Sequence, residues 1–237
     1  MTRAGVGAAP PIPKLPDTVP MLGLPETVAG RPVLGVAAAT LEPHGFVPEG
    51  AFLVVGPPLS GRSAALRALG VSLRRWNPLV RLHFFSTNRK SKLASLPLWT
   101  SAAAGQDESA KQAKALVEEF STALPEQPVA VFIENVAEVL GGPADQPLTE
   151  LVKLCLAEDL FVTAESESAA VNTTMGVLGL VRASRYGLSF APDSSDGDRF
   201  RTQFPNRLNR NDFPAGRALF VHGGRTSVVQ VGWVEEG

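Results

Sequence analysis

From Ala51 onward, short apolar runs alternate with amphipathic stretches. The pattern predicts strands at Ala51–Val55, Leu79–Phe85, Val129–Ile133 and Leu160–Thr163. Between and after them it predicts helices at Ser63–Arg75, Glu108–Ala123, Leu148–Ala157 and Ala169 to about Val181. Strands separated by helices of about 10 to 15 residues indicate a mostly parallel sheet covered by helices, so the expected fold class is α/β. Val129–Ile133 is apolar at every position, as a central strand buried on both faces requires. After Arg185 the period shortens. Tyr186–Ala191, Ala218–Val221 and Val228–Val234 read as strands separated by Asp/Ser/Gly and Pro/Gly turns, a β-rich C-terminal edge to the same sheet.

The N-terminal stretch has a different character. Residues 1 to 32 hold seven of the 20 prolines, each removing an amide donor and fixing φ near about −65°. This predicts a proline-rich arm or linker over residues 1–30, with neither helix nor central strand, followed by one domain over 31–237. No run of about 18 apolar residues occurs, and residues 1–30 lack the charged start and apolar stretch of a signal peptide.

Composition narrows the function classes. Hydrophobic residues make up 44% and charged residues 19%, which excludes a chain disordered throughout. Lys+Arg 22 against Asp+Glu 23 gives a net charge of −1, so the totals lack the footprint of a dedicated nucleic-acid binder. The charges are nevertheless segregated. Ala51–Gln106 has eight basic residues (Arg62, Arg67, Arg74, Arg75, Arg81, Arg89, Lys90, Lys92) and no acid, whereas Asp107–Glu167 has thirteen acids against Lys111, Lys114 and Lys153. Two such faces can meet neighbouring modules, attract polyanions, or remain solvated. Cys155 is the single cysteine, which excludes an internal disulfide and any CxxC metal site, and it reads as a core residue. His44, His83 and His222 are scattered without metal-ligand spacing. The late arginines Arg199, Arg201, Arg207, Arg210, Arg217 and Arg225 suit either a solvated edge or a phosphate contact.

One motif carries chemistry. Gly56-Pro57-Pro58-Leu59-Ser60-Gly61-Arg62-Ser63 follows an apolar strand and opens a helix, with the spacing of GxxxxGK[ST] and arginine for lysine. In such a loop backbone amides converge on phosphates at a helix N-terminus, and the Ser/Thr hydroxyl binds Mg²⁺. Pro57 and Pro58 remove two early amides; those of Gly61, Arg62, Ser63 and Ala64 remain. Arg62 is bulkier than a lysine that beds between phosphates. Glu134 ends the apolar run Val129–Ile133, where a Walker B acid would face hydrated Mg²⁺. The next position, Asn135, is an amide that cannot accept a proton. These substitutions predict an ATP-binding shape, with Ser63 and Glu134 as the Mg²⁺ residues, and little hydrolysis.

The chain resembles the FtsK/SpoIIIE family of RecA-like ATPases, in particular the last ATPase module of EccC-like type VII secretion proteins. The resemblance runs from about Arg31 to Glu236 and rests on Pro32–Val36, GPPLSGRS at Gly56–Ser63, VFIENVAEVL at Val131–Leu140, Phe161–Ala164 and Asp212–Leu219. It implies a RecA-like P-loop fold, ATP phosphates on Gly56–Ser63, Glu134 toward Mg²⁺, and Thr163 on a strand beside the γ-phosphate. It also implies a cytoplasmic domain of a membrane-anchored protein, with any membrane contact made by other domains. Its partners would be neighbouring ATPase modules and a secreted substrate's signal peptide. Departures at Leu59, Arg62 and Asn135 match the degenerate terminal modules of that family, which act in regulation or substrate docking. The rival readings are an active ATP-driven DNA translocase motor, with DNA as ligand, and an interaction module that takes no nucleotide.

Overall fold

The computed structural model describes residues 14–171 and 174–235. Among them, eleven strands share one sheet: β1 (Thr27–Val28), β2 (Arg31–Ala37), β3 (Pro43–Gly45), β4 (Ala51–Gly56), β5 (Arg81–Ser86), β6 (Ser101–Ala104), β7 (Val129–Glu134), β8 (Phe161–Glu167), β9 (Tyr186–Phe190), β10 (Arg217–His222) and β11 (Arg225–Val231). The order is β1-β2-β11-β10-β9-β4-β8-β7-β5-β6, with β3 on β2. From β6 to β9 all pairs are parallel, and from β9 through β10 and β11 to β2 they are antiparallel. This is the expected α/β fold with a β-rich C-terminal edge.

Period-2 alternation divides the core between the two faces of the sheet. Leu53, Val55, Val131 and Ile133 pack on one side with α2 (Gln106–Thr122), α3 (Asp145–Ala157) and α4 (Gly176–Arg182). Phe52, Val54, Ala130 and Phe132 pack on the other with α1 (Arg62–Trp76). Ser72 of α1 donates to the Val33 carbonyl at 2.6 Å, which ties the helix to β2. Gly70 faces Leu98 and Trp99, where a Cβ would lie 2.8 Å from Leu98, so a glycine lets the Trp99 ring reach Phe84 at 4.7 Å. Cys155 is fully buried in the first cluster, and burial pushes its thiol up to about 12.

Several elements differ from the sequence expectation. β2 and β6 were not anticipated: β2 contains Pro32, and β6 is rich in alanine, a weak strand former. Pro32 is tolerated because it is the second residue of its strand, where the lost donor is not needed by the longer β11 ladder. Its carbonyl accepts from Phe46 at 3.0 Å. β5 begins at Arg81, since Asn77-Pro78 turns the chain and leaves Leu79 exposed. α3 starts at Asp145 and carries Pro147 in its first turn, where its missing N–H has no partner to lose. The helix expected over Ala169–Val181 is a single 3-10 turn at Ser168–Ala170 and then α4; Asn172 and Thr173 lie outside the described residues. Of the arm expected over residues 1–30, residues 1–13 lie outside the described residues, while Val19 and Met21 are buried against the chain just past β11.

Candidate functional site

The apolar strand β4 ends at Gly56, and the chain then curls through Pro57–Gly61 into α1. Ser60 folds back over Gly56, where a Cβ would stand 2.4 Å from its hydroxyl. Leu59 forms the crown of the turn. It is 99% exposed with φ +62°, a left-handed backbone that glycine adopts without cost. Gly61 caps α1 at φ +107°, and a Cβ there would press to 3.0 Å on the Gly216 amide. The first intrahelical bond runs from Ala65 to Gly61, so the amides of Arg62, Ser63 and Ala64 face outward at the helix N-terminus as an anion cradle.

Parallel register brings three strand ends beside this cradle. Ser86 of β5 pairs with Glu134 of β7, and Gly56 of β4 pairs with Glu167 of β8. A cleft of about 460 Å³ opens here between Arg62 and Ser63 on one side and Glu134, Asn135, Glu138, Glu165 and Glu167 on the other. The expected Arg62, Ser63, Glu134 and Asn135 therefore meet in one place. Gly56 is buried at the end of β4, and Pro57, Pro58, Leu59, Ser60 and Gly61 form the loop beside the cleft without lining it. Thr163 does not reach the cleft either. It lies fully buried at the level of Phe52, because β8 runs four residues past the expected end and carries Glu165 and Glu167 to the site instead.

Glu165 is the residue that sequence reasoning missed. Its side chain is only 4% exposed, yet Oε1 lies 2.7 Å from Arg62 Nη1, and Oε2 accepts from the Asn135 amide at 3.0 Å. Burial pushes its carboxyl above the usual range. Arg62 and the Asn135 amide pull it down, and the nearby Glu134 and Glu138 push it further up. The sequence signal was period 2: Thr163, Glu165 and Glu167 share one face of the strand. Asn135 adopts φ +52°, a left-handed conformation asparagine tolerates, and this turns its amide toward Glu165.

The residues fit Mg²⁺ and a nucleotide in part. Ser63 is exposed and Glu134 Oε2 is buried without a hydrogen-bond partner, a pair of oxygen donors suited to a hard cation. A second hollow of about 240 Å³ adjoins the other side of the cradle, walled by Gly61, Ala64, Ala65, Gly216, Val231 and Trp233. Against this, one guanidinium faces four carboxylates in the cleft, and that guanidinium is already paired. Of the late arginines, Arg199 pairs with Asp196, Arg210 with Asp193 and Arg217 with Asp17.

Neither protein-family models nor curated protein sequences match this chain. Solved structures do. The cytoplasmic domain of the Thermomonospora curvata type VII secretion ATPase EccC superposes with a TM-score of 0.75 at 18% identity, covering 96% of this chain and 29% of that one. EccC ATPases 2 and 3 from the same organism, in complex with a signal sequence peptide, give 0.75 at 20% identity over 96% of this chain and 45% of that one. The pCW3 conjugation coupling protein TcpA, in a monomer form with ATPγS, gives 0.64 at 17% identity over 94% and 71%. The fold is that of the P-loop ATPase domains. The resemblance to FtsK/SpoIIIE-type ATPases, EccC-like modules in particular, thus extends from motifs to topology. The chain spans less than half the length of either EccC structure.

Proposed function

We propose that this chain is a degenerate nucleotide-binding module of a type VII secretion ATPase, with a regulatory or substrate-docking role beside other ATPase modules in the cytoplasm. One observation carries the reading: a P-loop turn is built in full, but its Arg62 is turned onto Glu165 and Asn135 follows Glu134. The shape for phosphate is kept, and the group that would polarise an attacking water is an amide.

In this reading the Arg62–Ala64 amides and Arg62 hold phosphates, Ser63 and Glu134 hold Mg²⁺, and the hollow beside Trp233 receives the flat base. Bound Mg²⁺ would neutralise phosphate charge against the carboxylates of the cleft. Asn135 offers no carboxylate to take a proton from an attacking water. The signal sequence peptide in the EccC complex supports a secreted segment as partner, and any membrane anchor belongs to other parts of a longer protein. No helix among the described residues is long and apolar enough to cross a membrane.

Turnover and calorimetry test the reading. Purified protein is expected to hydrolyse ATP at or near background and to bind it weakly. Gly61→Asp, which forces a side chain toward Gly216 and a carboxylate into the cradle, is expected to abolish binding. Robust turnover by the wild type favours the translocase reading, and equal affinity in the two proteins places the nucleotide elsewhere.

A further inference from the structure

The P-loop cation already has an anion. Arg62 Nη1 sits 2.7 Å from a carboxylate that belongs to the neighbouring strand, and both side chains are largely withdrawn from water, at 17% and 4% exposed. A nucleotide phosphate approaching the Arg62–Ala64 amides seeks the same guanidinium. Moving Arg62 toward it leaves Glu165 buried with only the Asn135 amide, and an uncompensated buried charge is costly. We infer that Glu165 stands in for a phosphoryl group on Arg62, so that nucleotide binding at this P-loop is a competition against an internal carboxylate and Glu165 determines how tightly the site takes phosphate.

The inference rests on the nucleotide-binding reading and adds to it a residue that sets affinity. Glu165 serves as a positioning residue: it acts through Arg62, and its Oε2 holds the Asn135 turn at the same time. Its effect is separable from the general acidity of the cleft. Glu167 lines the same cleft one strand repeat further on, and among the described residues Arg62 forms its ion pair with Glu165.

The test is equilibrium binding of a fluorescent ATP analogue with Mg²⁺ to the wild type, Glu165→Gln, Glu165→Asp and Glu167→Gln, with thermal unfolding as the check on folding. Glu165→Gln keeps the shape and an acceptor for the Asn135 amide but frees Arg62. It is expected to bind about tenfold tighter or more, which corresponds to releasing Arg62 from an ion pair worth about 1.4 kcal/mol. Glu165→Asp, one methylene shorter, is expected to fall between the two and decides the matter should the glutamine variant fail to fold. Glu167→Gln removes a cleft carboxylate that is not paired with Arg62, so it is expected to gain distinctly less than Glu165→Gln, about threefold. Unchanged affinity in the folded Glu165 variants overturns the competition while leaving the nucleotide reading intact wherever the wild type binds. An equal gain in Glu167→Gln overturns it in favour of bulk charge. Absence of binding in every variant overturns both.

Discussion

Met21 and Trp233, separated by almost the whole chain, are joined backbone to backbone: the Met21 amide donates to the Trp233 carbonyl at 2.7 Å, and the Trp233 amide donates to Val19 at 2.6 Å. Arg75 of α1 completes the clasp by donating to the carbonyls of Met21 and Leu24. The N-terminal segment therefore packs against the chain just past β11, beside the hollow walled by Gly61 and Trp233, where Asp17 pairs with Arg217. Met21 is fully buried and packs over Gly232. Met21→Ala is expected to cost about 2 to 4 kcal/mol by leaving a cavity, lowering the melting temperature by roughly 5 to 10 °C. Leu22→Ala, at a position 84% exposed, should change it little. Equal melting temperatures for wild type and Met21→Ala would show that the segment is not part of the folded unit.

His83 supplies a pH signature for folding. It lies in β5, 1% exposed, with Nδ1 2.8 Å from the Ser101 hydroxyl and its ring edge-on to Phe120. Burial, and then the like charge of Arg81, push it down to about 4, with Glu119 opposing. The unfolded chain thus binds a proton that the folded chain refuses between about pH 6.5 and 4, so stability falls as pH drops through that window and levels off below it. The loss attributable to His83 is at most about 3 kcal/mol. Denaturant unfolding from pH 7 to pH 4 should show this slope in the wild type and a flatter one in His83→Gln. Parallel slopes would refute the assignment, whatever the variant's absolute stability.

How much of this was legible in advance follows from the kind of signal each element carries. Val129–Ile133 was readable because a strand buried on both faces must be apolar throughout, and the glycines of the loop after β4 were readable because spacing alone marks a turn. β2 was hidden by Pro32, whose penalty depends on which amides the neighbouring strand needs, and that is a property of register rather than composition. The same holds for β8. Ending it at Thr163 follows from the loss of apolar residues, whereas the strand continues because Arg62 and the Asn135 amide compensate Glu165 across the cleft. Such a pairing joins residues about a hundred positions apart, and no local pattern encodes it.

The charge segregation bears on DNA, and the structure accounts for most of the basic stretch. A duplex-tracking motor must neutralise several phosphates, and each such contact steepens the fall of affinity with salt. Arg62 is paired with Glu165, Arg75 holds Met21 and Leu24, and Arg81 holds Glu119. Arg74 donates to the carbonyls of Leu98 and Pro78 and to the Thr100 hydroxyl, and Arg67 reaches the Val234 carbonyl. What remains exposed is Arg89, Lys90 and Lys92, with Arg89 3.6 Å from Asp107. Three contacts correspond to a fall of roughly 40-fold between 50 and 200 mM salt, against about 10³ or more for six or more contacts. Fluorescence anisotropy with a duplex is therefore expected to show weak binding with a shallow salt dependence, and Arg89→Ala/Lys90→Ala/Lys92→Ala should remove most of it. Submicromolar binding with a steep salt dependence that survives the triple substitution would require a basic surface other than this one and would restore the translocase reading.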